Sequence, residues 1–423
     1  MAVGIAPRRI VGGLLIAIAA ACLFASLGAQ TPSNTIYACF HETTGNVRVV
    51  PPGTECRPPE SPIQWSITGP VGPAGPQGPP GESVSPVTLS VDCGTGQAVG
   101  AALAQAASRR SVTIVITGVC RETINIGRDD VTLVGASPGD GVEAPDPNAN
   151  VAFVAGGQRV MFRQITLRGG RAGLLVTDGA AVSGENLVIT GAWNAIRLWD
   201  GTVRLRSSTI EDSGGTNISV SPAGHLFLQS STVRNAGSMG IDVTGASAEL
   251  EDATVEENAF SGLIGLAGAH LRVQRSHVTG NHQSGIWLHG SNLRMDDSVI
   301  AANQPVGIGS AGGTIELMRT TIENNGGGIQ ASVGSRIILA TGTIIRGNGE
   351  GIWVGDTSVI VADAATGQIA ITENSGSGVS CESAAPAVAQ ISRGPGRVGF
   401  SLGATEVFGN GGEQINCPGI IIR

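Results

Sequence analysis

A single period constrains this chain more than any other feature. From Leu167 an apolar residue returns at Ile189, Ile210, Val233, Val255, Val278, Ile300, Ile322 and Ile345, in steps of 21 to 23 residues, with less regular copies at Ile371 and Val407. From Ile189 on, a second apolar residue follows seven or eight places later: Ile196, Ile218, Ile241, Leu263, Ile286, Ile308, Ile329, Ile352, Val379 and Ile415. Alternating stretches such as HLFLQ, HLRVQ, NLRMD and TIELM precede several of the anchors. Short strands separated by turns, repeated at this interval, describe a solenoid in which each repeat is one coil of a stacked wall. With 64 Gly, 41% hydrophobic residues and only 3% aromatics, the chain suits thin repeated layers better than one thick core.

Two further residue types keep step with the period. Asn258, Asn281, Asn303, Asn325, Asn348, Asn374 and Asn410 each fall three places after an anchor. A turn there suits Asn, which bonds nearby backbone and tolerates left-handed torsion. Stacking would also let the amides bond from coil to coil, one strand spacing apart. Gly262, Gly285, Gly307, Gly328 and Gly351 precede the second apolar residues, where torsional freedom would allow a tight re-entry into strand. An Asn array displayed for chemistry is the competing reading, and a structural ladder explains the register more simply.

In this pattern of strands, Asn and Gly, residues 90–423 resemble the right-handed parallel β-helix of the pectin-lyase-like superfamily. A leucine-rich repeat shares the period, but its dense Leu-x-x-Leu-x-Leu framework is absent. The fold class implied is all-β, a single-stranded right-handed parallel β-helix solenoid. The resemblance implies polysaccharides as partners and an outer sheet face as the place where the superfamily's enzymes act. Hydrolysis there needs paired carboxylates, and a lyase needs a base beside a cation or Ca²⁺. Neither the Asn-Thr-Asp, Asp-Asp and Gly-His-Gly signatures of polygalacturonases nor the Arg-x-Pro-x-x-Arg motif of lyases occurs. Lys is absent, which excludes a Schiff base, and the only Tyr, Tyr37, precedes the repeats. The sequence therefore points to a non-catalytic adhesion or glycan-binding scaffold, with a lyase, hydrolase or epimerase as the alternative.

The first residues read as export machinery. Arg8 and Arg9 precede the apolar run IVGGLLIAIAAACLFASL, and a small-residue cleavage site ends at Ala29, so residues 1–29 form a signal peptide. Left uncut, that run would be long enough to anchor the chain in a membrane. Secretion or cell-surface display makes disulfides the default use of cysteine. With Cys22 set aside, six remain, and of 15 connectivities the neighbouring pairs are Cys39–Cys56, Cys93–Cys120 and Cys381–Cys417. Cys381 and Cys417 each lie seven residues after a repeat Asn, which predicts equivalent inward sites, on neighbouring coils if residues 382–406 form an excursion. Residues 30–68 read as a small hairpin module closed by Cys39–Cys56. The segment GPVGPAGPQGPPGES, residues 69–83, has Gly at every third place and resembles bacterial collagen-like stretches, which implies a homotrimer. Residues 84–423 hold the β-helix, opening with QAVGAALAQAASRR as a capping helix with Val99, Leu103 and Ala107 on its covered face.

The candidate binding residues are aromatic. If Ile286 and Ile352 point inward, Trp287 and Trp353 point outward at one strand position three coils apart, about 14 Å. Gly309 and Gln330 fill the coils between as a shallow floor, and His289, Trp199, Ile264 and Leu266 share the face. Trp favours stacking surfaces, so a glycan, a subunit contact or a covering loop would each use such a row. Glu249, Glu251, Asp252, Glu256 and Glu257 fall on one coil with Glu211 and Asp212 two coils away, and Ca²⁺ could bridge such oxygens. Asp252, Arg275, Asp297 and Arg319 alternate in sign at one repeat position, which is the pattern of a surface charge ladder. His225, His270, His277, His282 and His289 match no zinc spacing, and no other cofactor is implied. A net charge of −8 without a basic stripe argues against nucleic acid.

Overall fold

The structure is a computed structural model that describes residues 35–67, 86–108, 110–355, 357–363, 369–382 and 405–417. The leader at 1–29 and the collagen-like segment at 69–83 fall outside the described residues. The chain divides into two compact units, 1–81 and 82–423.

In the first unit three antiparallel strands, Thr35–His41, Val47–Val50 and Glu60–Ser66, form a sheet with Thr35–His41 in the middle. Ala38 and Cys39 are buried, whereas Val47, Val49, Ile63 and Trp65 are exposed. So thin a core leans on covalent closure, supplied by Cys39–Cys56 across 17 residues. Arg48 meets Glu60 at 2.7 Å, and its guanidinium draws the Glu60 carboxyl below the usual range.

The second unit is a parallel β-helix of three sheets with thirteen described strands each. Sheet I runs from Val87–Asp92 to Val359–Asp363, sheet II from Val119–Arg121 to Thr405–Phe408, and sheet III from Ile124–Ile126 to Ile415–Asn416. One coil crosses all three: His270–Gln274 in sheet I, His277–Thr279 in sheet II, Ser284–His289 in sheet III. The periodic anchors are the central residues of sheet II, where Val278 lies between Val255 and Ile300 and all three are fully buried. The second apolar series lines sheet III, with Ile286 between Leu263 and Ile308. Burying each such side chain contributes about 1.5–3 kcal/mol, and the repeat delivers that gain coil after coil.

Two corners are built by polar ladders. At the corner from sheet I to sheet II, Ser207, Ser230, Asp252, Arg275, Asp297 and Arg319 occupy left-handed torsions, with φ between 46° and 51°. The next residue is usually Ser or Thr. The main-chain N–H of Ser276 donates to Ser298 Oγ one coil on at 3.1 Å, while Ser276 Oγ donates to the Gln274 carbonyl at 2.6 Å. Ser208 and Ser231 repeat the arrangement. Ser or Thr at this place in successive repeats is the sequence signature of the hydroxyl ladder.

At the corner from sheet II to sheet III the Asn series forms a continuous ladder. Asn281 donates from Nδ2 at 2.9 Å and from its main-chain N at 3.0 Å to Asn303 Oδ1, and the same pair of bonds recurs through Asn325, Asn348 and Asn374 to Asn410. The second Nδ2 hydrogen of Asn303 is shared by the Ala301 and Val278 carbonyls, both at 3.0 Å. Torsion is not the reason for Asn here: the left-handed residue is the preceding one, as in Glu257, Ala302, Asn324 and Glu373. The ladder position selects the amide because it alone offers two donors and an acceptor to a buried corner.

The glycine series also has a different cause from the expected one. None of Gly262, Gly285, Gly307, Gly328 and Gly351 has a positive φ. A Cβ on Gly262 would instead lie 2.7 Å from Asn281 Nδ2 and 2.9 Å from the Gly285 oxygen. Close approach of the next coil excludes a side chain.

The helix at the start of this unit spans Val99–Gln105 and buries Val99, Ala102 and Leu103, followed by Ala106, in the solenoid core. Ala107 is exposed, because the helix has ended and the covered face runs through Ala106. Glu122 accepts from the Val99 and Gly100 N–H groups at 2.6 and 2.9 Å, satisfying donors that a helix start leaves free. Cys93–Cys120 and Cys381–Cys417 are both bonded. Among the described residues no helix is long and apolar enough to cross a membrane.

Candidate functional site

On the outer face of sheet III the register sets Trp287, Gly309, Gln330 and Trp353 in one row. Strand alternation fixes this: Ile286 and Leu288 are fully buried, so Trp287 between them must face out. The row is narrower than the sequence implied. The indole of Trp287 lies over Gly309, whose missing side chain makes room for it, so the open floor is the exposed Gln330. The Trp353 ring lies against Gly355, with the Glu382 carboxylate at the same place. Ser380 extends the row past Trp353 and donates to Glu350.

His289 stands exposed in the neighbouring column between Leu266 and Ala311. Trp199 lies nearer the start of the solenoid and is 49% exposed, with the Arg197 guanidinium 5.3 Å from its ring centre, a cation–π distance. Ile264 shares the face, as expected, but at 8% exposed it does not add to an open apolar surface.

Followed toward the start of the solenoid, the tryptophan row becomes Ile264, Asp242, Ser219 and Arg197. Asp242 was not singled out from the sequence. Burial pushes its carboxyl up, and the Thr244 hydroxyl at 3.4 Å opposes the shift. The signal was an acid at an alternating strand position, in IDV, where the adjoining repeats have Ser219 and Ile264. Trp193 was also missed. It is 63% exposed, and its ring rests on the Gly214–Gly215 backbone, within 3.0 and 3.3 Å of where their side chains would begin.

The acidic coil does not gather. Glu249 and Glu251 are on sheet I, Asp252 is at the next corner, Glu256 is on sheet II and Glu257 follows it. Several of these carboxylates are engaged by arginine: Arg275 contacts Glu251 and meets Asp252 at 2.9 Å, and Arg234 meets Glu211 at 2.7 Å. Along the expected charge ladder the direct contacts pair Arg275 with Asp252 and Arg319 with Asp297 at 2.7 Å, each arginine also reaching the preceding acid, Glu251 or Asp296. The guanidinium holds Asp297 below its ordinary range. Among the described residues one group of three His, Cys, Asp or Glu side chains is close enough to share a metal, Cys39, Cys56 and Glu60, and its sulfurs are tied up in a disulfide. The histidines are dispersed: His225 and His270 on sheet I, His277 on sheet II, His282 at a corner and His289 on sheet III.

Residues 194–339 and 261–393 match the family model described as a right handed beta helix region. No curated protein matches the chain. Among solved structures, the A-module of Azotobacter vinelandii mannuronan C-5 epimerase AlgE6 is 13% identical with a TM-score of 0.48, covering 76% of this chain and 93% of that one. The Dettilon tailspike protein is 11% identical with a TM-score of 0.44, covering 76% and 64%. Pectate lyase Pel9A is 11% identical with a TM-score of 0.32, covering 78% and 80%. The family match and the strand order agree that this chain holds a right-handed parallel β-helix.

Proposed function

We propose that the chain is an exported, rigid β-helix scaffold that binds a polysaccharide or cell-surface glycan on the outer face of sheet III without transforming it. The observation that carries this reading is the row Trp287, Gly309, Gln330, Trp353. Two indoles carried on strand positions about 14 Å apart along the axis, with that of Trp287 leaning over Gly309 toward its partner, offer stacking faces to separate sugar rings of one chain, and Gln330 between them offers an amide to hydroxyls. His289 adds a second polar group beside Trp287, and Trp199 extends the aromatic surface toward the start of the solenoid. The remaining parts of the reading follow from the sequence. The helix at 99–105 serves as the solenoid's cap, residues 30–68 as a separate small module, and 69–83 as a collagen-like segment that draws three copies together. Three disulfides suit an oxidising location outside the cytoplasm, and membrane attachment follows only if the leader stays uncut.

The test is a panel of soluble polysaccharides presented to the purified chain lacking residues 1–29. One member should bind, Trp287→Ala and Trp353→Ala should each weaken it at least tenfold, and none should be depolymerised. Binding indifferent to both substitutions would remove the site. A second reading, a polysaccharide-modifying enzyme, is favoured by one observation: Asp242 lies on the same face, and burial helps it keep a proton that an acid catalyst would donate. Chain cleavage or epimerisation that disappears in Asp242→Asn would establish that reading instead.

A further inference from the structure

A different face carries a second feature. On the outside of sheet I the register sets Ser183, Arg204, Phe227, Glu249, Arg272 and Arg294 in one row across successive coils. Two adjoining depressions of about 490 and 240 Å³ lie over this row and share Glu249 and Arg272 in their linings, so they form one groove along the solenoid axis. Its charges are unevenly satisfied. Glu251 is engaged by Arg275, Glu185 by Arg163 at 3.1 Å, and Arg294 by Glu316 at 3.5 Å. Arg204, Arg206 and Arg272 have no ion-pair partner among the described residues. Arg204 lies over the Phe227 ring instead, 4.6 Å from its centre, a contact that holds the guanidinium against the sheet with its outer edge free.

We propose that this groove binds a linear acidic glycan, independently of the sheet III face. Arg204 with Arg206, and Arg272 three strand steps along the groove, about 14 Å, take separated anionic groups on one polymer. Guanidinium is the side chain best shaped for carboxylate or sulfate. Phe227 lies between the two cationic points and carries the Arg204 guanidinium on its ring, so it acts on the ligand by holding that cation in place. Glu249, also between them, accepts hydroxyl donors and repels an anion, so the ligand carries spaced charges rather than continuous ones. The length of the groove along the axis suits a polymer better than a single small anion.

The experiment compares polymers that share a backbone: carboxymethyl dextran at low substitution, dextran sulfate and neutral dextran, each titrated against the full chain at low and at physiological salt. An acidic polymer should bind, neutral dextran should not, and the complex should weaken with salt as exposed charges are screened. The carboxylated and sulfated arms identify which anion the arginines prefer. Arg204→Gln with Arg272→Gln should reduce the affinity at least tenfold, and Phe227→Ala several-fold, with the circular dichroism and melting profile unchanged. Trp287→Ala with Trp353→Ala should leave acidic-polymer binding intact, which separates this groove from the sheet III face. Equal binding of neutral dextran, or acidic-polymer binding that survives the double arginine substitution, would overturn the proposal.

Discussion

Asn303 Oδ1 accepts two hydrogen bonds from Asn281 at once, one from the side-chain amide at 2.9 Å and one from the main chain at 3.0 Å. Asn303→Ala would therefore leave two donors of Asn281 unpaired in a corner where Asn281 is 1% exposed. Each orphaned buried group costs about 1–3 kcal/mol, so a loss of about 3–5 kcal/mol is expected. Because a solenoid can open locally, hydrogen exchange is the suitable measurement. Protection should fall in the coils on either side of Asn303 and persist near Leu167.

Glycine substitutions should sort by cause. Gly262→Ala places a methyl 2.9 Å from the Gly285 oxygen and 2.7 Å from Asn281 Nδ2, so it must push two coils apart. A cost above about 2 kcal/mol is expected. At Gly290 there is nothing within 4 Å and the demand is only a φ of 58°, so Gly290→Ala should cost about 1 kcal/mol. Thermal melting of the two variants side by side would show the difference, and equal losses would contradict the close-approach account.

Gly309 tests the tryptophan row without touching a tryptophan. A methyl there would collide with the Trp287 indole and force the ring off its seat. Gly309→Ala should shift Trp emission toward the red, leave the melting temperature within a few degrees and weaken glycan binding at least threefold. Unchanged binding with a shifted spectrum would show that the seated indole is not the binding surface.

Asp242 predicts a pH signature. Its folded-state carboxyl is raised by burial, so ionisation costs stability in the fold that it does not cost in the unfolded chain. That cost is absent below the unfolded value of about 3.9 and grows as pH rises through the folded value. Asp242→Asn should accordingly raise the melting temperature at pH 7 and lose its advantage near pH 3.5. A stabilisation that is the same at both pH values would show the effect to be steric rather than electrostatic.

The small sheet of the first unit depends on its disulfide. Closing 17 residues with Cys39–Cys56 restricts the unfolded chain by roughly 3 kcal/mol. Replacing both cysteines with Ser should expose residues 35–67 to proteolysis while leaving the β-helix resistant.

Legibility followed the kind of force involved. The inward columns were readable, because burial at a fixed interval writes an apolar residue at that interval, and the anchors from Leu167 to Val407 all register in sheet II. The Asn series was readable for the same reason, since a buried corner tolerates one amide geometry and repeats it. Reasons were harder to read than positions. Glycine before Leu263 signals either torsion or crowding, and only the position of the Gly285 oxygen distinguishes them. The outward rows were harder still. Alternation placed Trp287 beside Gly309, but whether the indole stands up or lies down depends on what is missing opposite it. Asp242 drew no notice because its character comes from its surroundings, not from its residue type.

Every coil is set directly on its neighbours, strand over strand, so the molecule behaves as a graduated ruler. Excising one whole coil, residues 326–348, would join Asn325 to Gly349 and bring Trp287 and Trp353 one strand closer while keeping Gly309 beneath the Trp287 indole. The distance between the two stacking faces is thus an adjustable setting, and a family of shortened or lengthened versions would gauge the ligand's own repeat.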